Sequence, residues 1–364
     1  MFKKNKPQIL FFILLNLFFS INSFSQKNVY AGIEIGRRAI KVSVIEVNNI
    51  KKADYKILYF ANERISLADH ITATGSLTQE DINKTGVIVF DQLRKIRKDF
   101  KLLEENIFIV AAPVFSSASN IDALKTKVNS LTNKTFDIID VNEEAKILVK
   151  GAIPPVDYAN ALLLDIGAKS TRGGYIEEVN DNKLEFIPLE LDFGTTTLTD
   201  AVKKTVANKS QTNDMAVYQE KSFDFNTVLR KKIKEMLDAN PLLAKKEKIY
   251  LSGGAVWAFS TLYYDENVKD HYVPLTMEDI LEYDAILKNN FNKYNNLAKT
   301  NKEAARVLST YDQTYLISAN NILLSCVEGI PNLEKKKMYF VKEGQVTWLI
   351  SHIADRSKKV NTNF

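Results

Sequence analysis

The stretch ALLLDIGAKSTRGGYIEE, residues 161–178, predicts a buried strand, a tight turn and a return strand. Leu162–Leu164 form the short apolar run that is expected of a strand covered on both faces, and Asp165 ends this run. Gly167 follows at the point where the backbone must turn sharply or approach a ligand closely. The return strand is predicted at Gly173–Glu177, which makes this hairpin the centre of the predicted fold.

The same pattern occurs once earlier, in AGIEIGRRAIKVSVIEV, residues 31–47. The two stretches align without a gap, so that Glu34 falls on Asp165 and Gly36 falls on Gly167. Two copies predict an α/β protein with two duplicated halves, in which the two turns face each other across a cleft. Backbone N–H groups of such turns could hold phosphate oxygens, and the carboxylates could hold a cation. The alternative is that each copy is an ordinary β-hairpin with a glycine turn.

The N-terminal segment has the features of a secretory signal peptide, predicted over residues 1–25. Three lysines precede the apolar run Ile9–Ile21, and Ser23-Phe24-Ser25 offers small residues for cleavage. We therefore expect export to the periplasm, or secretion. An uncleaved membrane anchor is the rival interpretation, but the run is shorter than the roughly 20 residues that a membrane span needs. After cleavage, no membrane association is expected.

Charge and cysteine content exclude several classes of function. The formal net charge is +5, and the predicted signal peptide contains three lysines and no acid, so the mature chain has a charge of +2. This value is too close to zero to indicate nucleic-acid binding. Cys326 is the single cysteine, so no internal disulfide can form, and with three histidines there is no zinc cluster to argue for.

The order of predicted elements gives two domains, 27–153 and 154–364, each with a strand-rich start and a helical end. The linker predicted between them is GAIPPVDY, residues 151–158, because its prolines interrupt a helix. In the second half, Lys248–Tyr263 predicts a strand, the pair Gly253-Gly254 and a helix. A glycine pair at the start of a helix is suited to an anion. Close packing of the strand against the helix explains the pair equally well.

Seven segments, taken in order from about Ala31 to Ile353, resemble those of the exopolyphosphatase/guanosine pentaphosphatase family, the Ppx/GppA phosphatases. This family belongs to the superfamily that includes actin and the sugar kinases. The resemblance implies two duplicated actin-like, or ribonuclease H-like, domains with a cleft between them. Two of the seven segments are the two turns. The other five are VAAPVFSSASNIDAL, IIDVNEEAKILVKGA, YLSGGAVWAFSTL, YDQTYLISANNILLSCVEGI and FVKEGQVTWLI.

The resemblance also implies a chemistry. The family removes terminal phosphate from polyphosphate or guanosine pentaphosphate, with a glutamate base, Mg²⁺ and loop amides acting on the attacking water and the phosphate. By position, Glu144 is the base, Asp165 is a metal or water ligand, and Glu34 is a further metal ligand. The phosphate-binding residues implied by the motifs are Gly36, Arg37, Arg38, Gly167, Lys169, Ser170, Arg172, Gly253 and Gly254.

Three departures from the family pattern bear on activity. The first turn is GRRA where the family has GSNS, and the second is GAKSTR where the family has GGGSTE. Arg172 therefore replaces a functional glutamate, and Ser116 stands where the family has an arginine that grips phosphate. Removal of a catalytic carboxylate typically costs about 10²–10⁴-fold in rate.

The substitutions place four cations at the two turns. One hypothesis is that these cations still bind a polyanion and partly replace Mg²⁺, since arginine pairs with phosphate through two hydrogen bonds. The alternative is that they point to solvent or pair with carboxylates and close an inactive site. The cations are Arg37, Arg38, Lys169 and Arg172, and the carboxylates are Glu34, Glu143 and Asp165.

Two functions follow from the sequence. The first is an exported phosphoanhydride hydrolase that releases phosphate from polyphosphate or a related chain, because guanosine pentaphosphate is a cytoplasmic ligand. The second is a catalytically impaired family member that binds a polyanion or a protein in the periplasm. Family members often pair, so the resemblance also raises the expectation of a homodimer.

Overall fold

The computed structural model describes residues 28–179, 183–212, 214–264 and 270–361. The predicted signal peptide lies outside these residues. The chain divides into two compact units, one that includes Asp54–Asp140 and the chain up to Ile50, and one that includes Val141 onward with the short segment Lys51–Ala53.

The first unit is built on a five-stranded sheet in the order β3-β2-β1-β4-β5. Strands β1, β2 and β3 are antiparallel neighbours, whereas β4 and β5 run parallel to β1. The strands are β1 (Val29–Ile35), β2 (Ala39–Asn49), β3 (Asp54–Arg64), β4 (Ile107–Ala111) and β5 (Asp137–Ile138). The helices are α1 (Leu67–Thr74), α2 (Gln79–Phe100) and α3 (Ile121–Thr132).

Alternation in β1 places Ala31, Ile33 and Ile35 in the core of this unit, where they belong to one apolar cluster with Leu93 and Ile96 of α2. The strand therefore buries one full face. Acids at positions 80 and 81, followed by an apolar periodicity up to Ile96, predict a helix from about residue 78, and α2 confirms it.

The second unit is built on a six-stranded sheet in the order β10-β11-β9-β6-β7-β8. Its strands are β6 (Ala161–Ile166), β7 (Thr171–Val179), β8 (Lys183–Leu191), β9 (Lys248–Ser252), β10 (Tyr272–Leu275) and β11 (Lys337–Val341). Its helices are α4 (Val141–Ala152), α5 (Thr195–Thr205), α6 (Met215–Asp238), α7 (Gly254–Tyr264), α8 (Met277–Asn289), α9 (Asn292–Leu297), α10 (Lys302–Thr310), α11 (Gln313–Gly329) and α12 (Thr347–Asn361).

The duplication predicted from the two turns is confirmed by the topology. If β10 is set aside, the second sheet repeats the order of the first: third, second, first, fourth and fifth strand. In both sheets the first three strands are antiparallel and the last two run parallel to the first. The α/β fold class is therefore present twice in the chain.

Helix α4 changes the predicted division of the chain. It belongs to the second unit, whereas the predicted first domain extended to residue 153. The physical reason is its close packing on α12, since a Cβ atom at Gly151 would overlap the carbonyl of Thr347. The predicted linker at 151–158 instead holds the end of α4 and the start of a 3₁₀ helix, Pro155–Asn160.

Several predicted element bounds differ from those observed. The apolar run IFIVAAPVF, residues 107–115, predicts one buried strand, but the strand ends at Ala111. FDIIDV, residues 136–141, predicts another, of which only Asp137–Ile138 is strand. Asn120 is a candidate cap for the helix predicted at 122–131, but its side chain instead bonds the N–H and carbonyl of Leu77, at 2.9 and 2.8 Å. The sequence of residues 265–274 predicts an exposed loop; residues 265–269 lie outside the described residues, and Tyr272–Pro274 belong to β10.

In the part of the chain that the structure describes, no helix has both the length and the apolar composition that crossing a bilayer requires.

Candidate functional site

The β6–β7 turn is fixed by the start of α5. The N–H of Gly167 donates to the carbonyl of Ser170 at 3.1 Å and closes the turn. The N–H groups of Thr195 and Thr196 donate to the carbonyls of Gly167 and Ala168, at 2.9 and 2.7 Å, and the Thr197 hydroxyl donates to the Lys169 carbonyl at 2.9 Å. The first N–H groups of α5 therefore hold the turn, and they are not available to an anion.

Asp165, the acid predicted to hold water or metal, is partly buried at the end of β6. Its Oδ2 accepts a hydrogen bond from the hydroxyl of Ser252, which lies opposite it in the register of β6 and β9. Burial raises the pKa of Asp165, while the bond from Ser252 and the charge of Arg172 oppose that rise. Ser252 was missed in the sequence, although its place directly before the glycine pair is a signal.

Arg172 is a neighbour of both Glu144, the predicted base, and Asp165, the predicted acid. It lies opposite Asp165 in the register of β6 and β7. Its Nη1 is 3.5 Å from Oε2 of Glu144 in the first turn of α4, and its Nε is 3.5 Å from Oε1 of Glu190. The side chains of Arg172 and Glu144 are 50% and 46% exposed, so solvent screens this pair. Glu190 lies in no motif, and only its register opposite Arg172 in β8 reveals it.

The first turn is closed in the same way, because the N–H of Gly36 donates to the carbonyl of Ala39 at 2.9 Å. Arg37 and Arg38 are the two central residues of this turn and are exposed. Glu34 is 3.6 Å from the Nζ of Lys41, its partner in the register of β1 and β2.

Ser116, which stands in place of the family's arginine, is exposed in the 3₁₀ helix that follows β4. Its hydroxyl donates to the carbonyl of Pro113 at 2.8 Å. The hydroxyl is therefore used within its own turn.

Close packing accounts for both residues of the glycine pair. Gly253 has a φ of +95°, which disfavours other residues, and a Cβ atom there would overlap the backbone of Ile166. A Cβ atom at Gly254 would overlap the hydroxyl of Tyr311. Of the two explanations for the pair, packing is the one for which the structure supplies contacts.

Within the second unit, the surroundings of Asp165 do not favour a bound Mg²⁺. No group of three or more possible ligands among His, Cys, Asp and Glu is present in the described residues. Arg172 lies between Glu144 and Glu190, so a cation beside Asp165 would face its positive charge. Burial also raises the pKa of Asp165, which works against the charged carboxylate that a divalent cation prefers.

Comparison with known structures shows the fold. The crystal structure of the type II variant of the Aquifex aeolicus Ppx/GppA phosphatase is 18% identical, covers 88% of this chain and 98% of that one, and gives a TM-score of 0.65. An exopolyphosphatase from Cytophaga hutchinsonii is 14% identical, with coverages of 89% and 98% and a TM-score of 0.53. These likenesses confirm the fold as two actin-like α/β domains.

Comparison by sequence identifies the family. No curated protein sequence matches this chain. The model of the Ppx/GppA phosphatase family matches residues 44–311, which is most of the chain and includes the second turn, α4 and the glycine pair. The chain therefore belongs to the Ppx/GppA phosphatase family.

Proposed function

We propose that this chain is a phosphoanhydride hydrolase that releases terminal phosphate from polyphosphate or a related phosphate chain. Membership of the family supports a phosphatase-type hydrolase. The observation that supports the finer proposal is the position of Arg172, 3.5 Å from Glu144 and directly opposite Asp165. A cation suited to phosphate, a candidate base and a second acid thus lie together within one unit.

The residues have separate roles in this proposal. The guanidinium of Arg172 pairs with oxygens of the terminal phosphate, and it leaves Glu144 as it does so. Glu144, freed from its ion pair, accepts a proton from the water as that water attacks the terminal phosphorus. The bridging P–O bond breaks in the same step, and the shortened phosphate chain leaves with the electron pair of that bond. Asp165, held by the hydroxyl of Ser252, orients that water through a hydrogen bond.

The test is phosphate release from long-chain polyphosphate by the purified mature protein. We expect E144Q to lower the rate about 10²–10⁴-fold, because the base is lost. The matched control is E143Q, since Glu143 is exposed and its carboxylate pairs with Lys146 at 2.9 Å. Equal rates for native protein and E144Q, with both at the level of the buffer, would reject the hydrolase.

The ion pair between Arg172 and Glu144 favours a second function, a catalytically impaired member that binds a polyanion. The guanidinium of Arg172 lies 3.5 Å from the carboxylate that would accept the proton of the attacking water, and the residue at the position of Arg172 is an acid in the family motif. The variant R172E separates the two functions. Release that appears in R172E and is missing in the native protein supports the impaired member, whereas release by the native protein that R172E lowers supports the hydrolase.

We also propose that the substrate is inorganic polyphosphate outside the cytoplasm, because the N-terminal segment has the pattern of a signal peptide. Expression of the full chain in a bacterial host, followed by cell fractionation and mass spectrometry, tests this. We expect a periplasmic product that begins at Gln26. A full-length product in the cytoplasm would contradict export.

A further inference from the structure

We propose that the turn of the first unit, extended by Arg64 of the neighbouring strand, is the main anchoring site for the phosphate chain. Arg64 belongs to none of the motifs. The proposal rests on the proposed function for the class of ligand, a condensed phosphate. It assigns most of the affinity for that ligand to the first of the two duplicated turns.

The registers of the two sheets allow a residue-by-residue comparison. In the first unit Lys41 lies between Glu34 and Asn62 on its neighbouring strands. In the second unit Arg172 occupies the same place, between Asp165 and Glu190. Asn62 therefore corresponds to Glu190.

Two residues further on, Arg64 at the end of β3 corresponds to Asp192, the residue that follows the end of β8. The first unit thus has a basic residue, Arg64, at the position where the second unit has an acidic one, Asp192. At the tips of the turns, Arg37 and Arg38 correspond to Ala168 and Lys169. The first turn therefore has three arginines, whereas Arg172 of the second turn has carboxylates on two sides.

The backbone places the three arginines of the first turn close together. Arg37 and Arg38 form the tip, and Ala39, the next residue, lies directly opposite Arg64. The N–H of Ile65 donates to the carbonyl of Arg38 at 3.1 Å, which fixes β3 beside the turn. Cβ atoms of such opposed residues are about 5 Å apart, a gap that an arginine side chain can cross. Three guanidiniums can therefore reach one anion.

The three arginines are also unpaired within the described ranges. All three are exposed, and no ion pair or side-chain hydrogen bond joins any of them to another described residue. Glu34, the acid of this turn, faces Lys41 instead. Arg172, in contrast, has carboxylates at 3.5 Å on two sides.

This difference determines at which of the two turns an anion gains more binding free energy. Binding to Arg172 must first replace its contacts with Glu144 and Glu190, whereas binding to Arg37, Arg38 and Arg64 replaces only water. A condensed phosphate presents several charged oxygens along its length, so it can engage several arginine forks at once.

The experiment is a calorimetric titration of the mature protein with tripolyphosphate at low ionic strength. We expect R64A to weaken binding by about tenfold or more, as is typical for loss of a charge-assisted hydrogen bond. R64K should recover part of the affinity, because it keeps the charge and loses the fork. R172A should weaken binding less than R64A does.

The matched control is R94A. Arg94 is an exposed arginine of the same unit whose guanidinium already pairs with Asp91 at 3.2 Å. Affinity of R64A equal to that of R94A would overturn the proposal, as would a larger loss in R172A than in R64A or no binding by the native protein.

Phosphate release, measured in parallel, keeps the two proposals apart. If the native protein binds through Arg64 but releases no phosphate, the hydrolase fails and the anchoring site stands. If it releases phosphate and R64A binds as tightly as R94A, the anchoring site fails and the hydrolase stands.

Discussion

Arg172 should contribute little to the stability of the fold, because its ion pairs are half-exposed and at 3.5 Å. Exposed pairs of this kind contribute about 0–1 kcal/mol. We therefore expect R172A to lower the free energy of unfolding by less than about 1 kcal/mol, measured by urea denaturation. A much larger loss would show that Arg172 is needed for the fold and would weaken its use as a probe of binding.

Cys326 should not react with thiol reagents in the folded protein. It is fully buried in α11, and burial raises the pKa of its thiol to about 12. The reactive thiolate is therefore scarce at neutral pH and shielded from reagents. We expect no reaction with an aromatic disulfide reagent in buffer and one equivalent in denaturant. Rapid reaction of the native protein would show that α11 opens readily.

At the level of single residues, the motifs in the sequence point to candidate groups but not to the partners of those groups. Motif positions gave Glu144, Asp165 and Arg172, and an ion pair at Arg172 was one of the open alternatives. The predicted carboxylate Glu143 pairs with Lys146 in its own helix, and Arg172 pairs with Glu144. Such choices depend on strand register and helix rotation, which local sequence does not determine.

At the level of elements, the contact between α4 and α12 sets the position of the predicted base. Gly151 allows the two helices to approach so closely that a Cβ atom would overlap the Thr347 backbone. We expect G151A to destabilise the protein by roughly 1–3 kcal/mol, because the backbone must move to make room. Thermal unfolding measures the effect.

The control for this prediction is G344A. A Cβ atom at Gly344 meets no atom within 4 Å, and its backbone conformation is an ordinary one. We expect a change within about 0.5 kcal/mol for this exposed site. If both variants lost the same stability, the close approach of α4 and α12 would not be the cause.

The packing explanation for the glycine pair is open to a double-mutant cycle. G254A should destabilise the fold, because the added methyl group meets the hydroxyl of Tyr311. In a Y311F background, which lacks that hydroxyl, the same change should cost less, with a coupling of roughly 0.5–3 kcal/mol. Equal costs in both backgrounds would indicate that Gly254 serves another purpose.

Helix starts were predictable where their signals are local. Thr78 and Asp81 form a reciprocal capping box, with hydrogen bonds of 3.1 and 3.0 Å, three residues apart in the chain. Asn120 shows the limit, because its side chain bonds Leu77, which is 43 residues away. A capping residue and a tertiary contact have the same local sequence, so only the fold distinguishes them.

At the level of the whole molecule, alkaline pH should destabilise the fold through the second unit. Burial is the largest cause that raises the pKa of ten described tyrosines there: Tyr158, Tyr175, Tyr218, Tyr250, Tyr263, Tyr264, Tyr272, Tyr283, Tyr294 and Tyr311. A group with a raised folded pKa stabilises the fold below its unfolded value and loses that contribution as pH rises above it.

We therefore expect one cooperative loss of structure above pH about 10, the ordinary tyrosine value. Circular dichroism and the absorbance of tyrosinate, followed across an alkaline titration, should change together. Gradual ionisation of tyrosines with circular dichroism unchanged would contradict this expectation.

The duplicated architecture was predictable because the pattern of strand, acid and glycine occurs twice without a gap. The strand order of both sheets then follows the same plan. The bound between the units was not predictable in the same way. Prolines at 154–155 indicate the end of a helix, but the packing of α4 on α12 decides to which unit that helix belongs.

The burial of the single cysteine has a practical consequence for fluorescence work. Since Cys326 is shielded, two introduced cysteines, one at an exposed position in each unit, would be the only thiols that a dye could label. A donor and acceptor pair could then report the distance between the units in solution, with and without polyphosphate. The native cysteine therefore does not have to be replaced before the protein is labelled for single-molecule energy-transfer measurements.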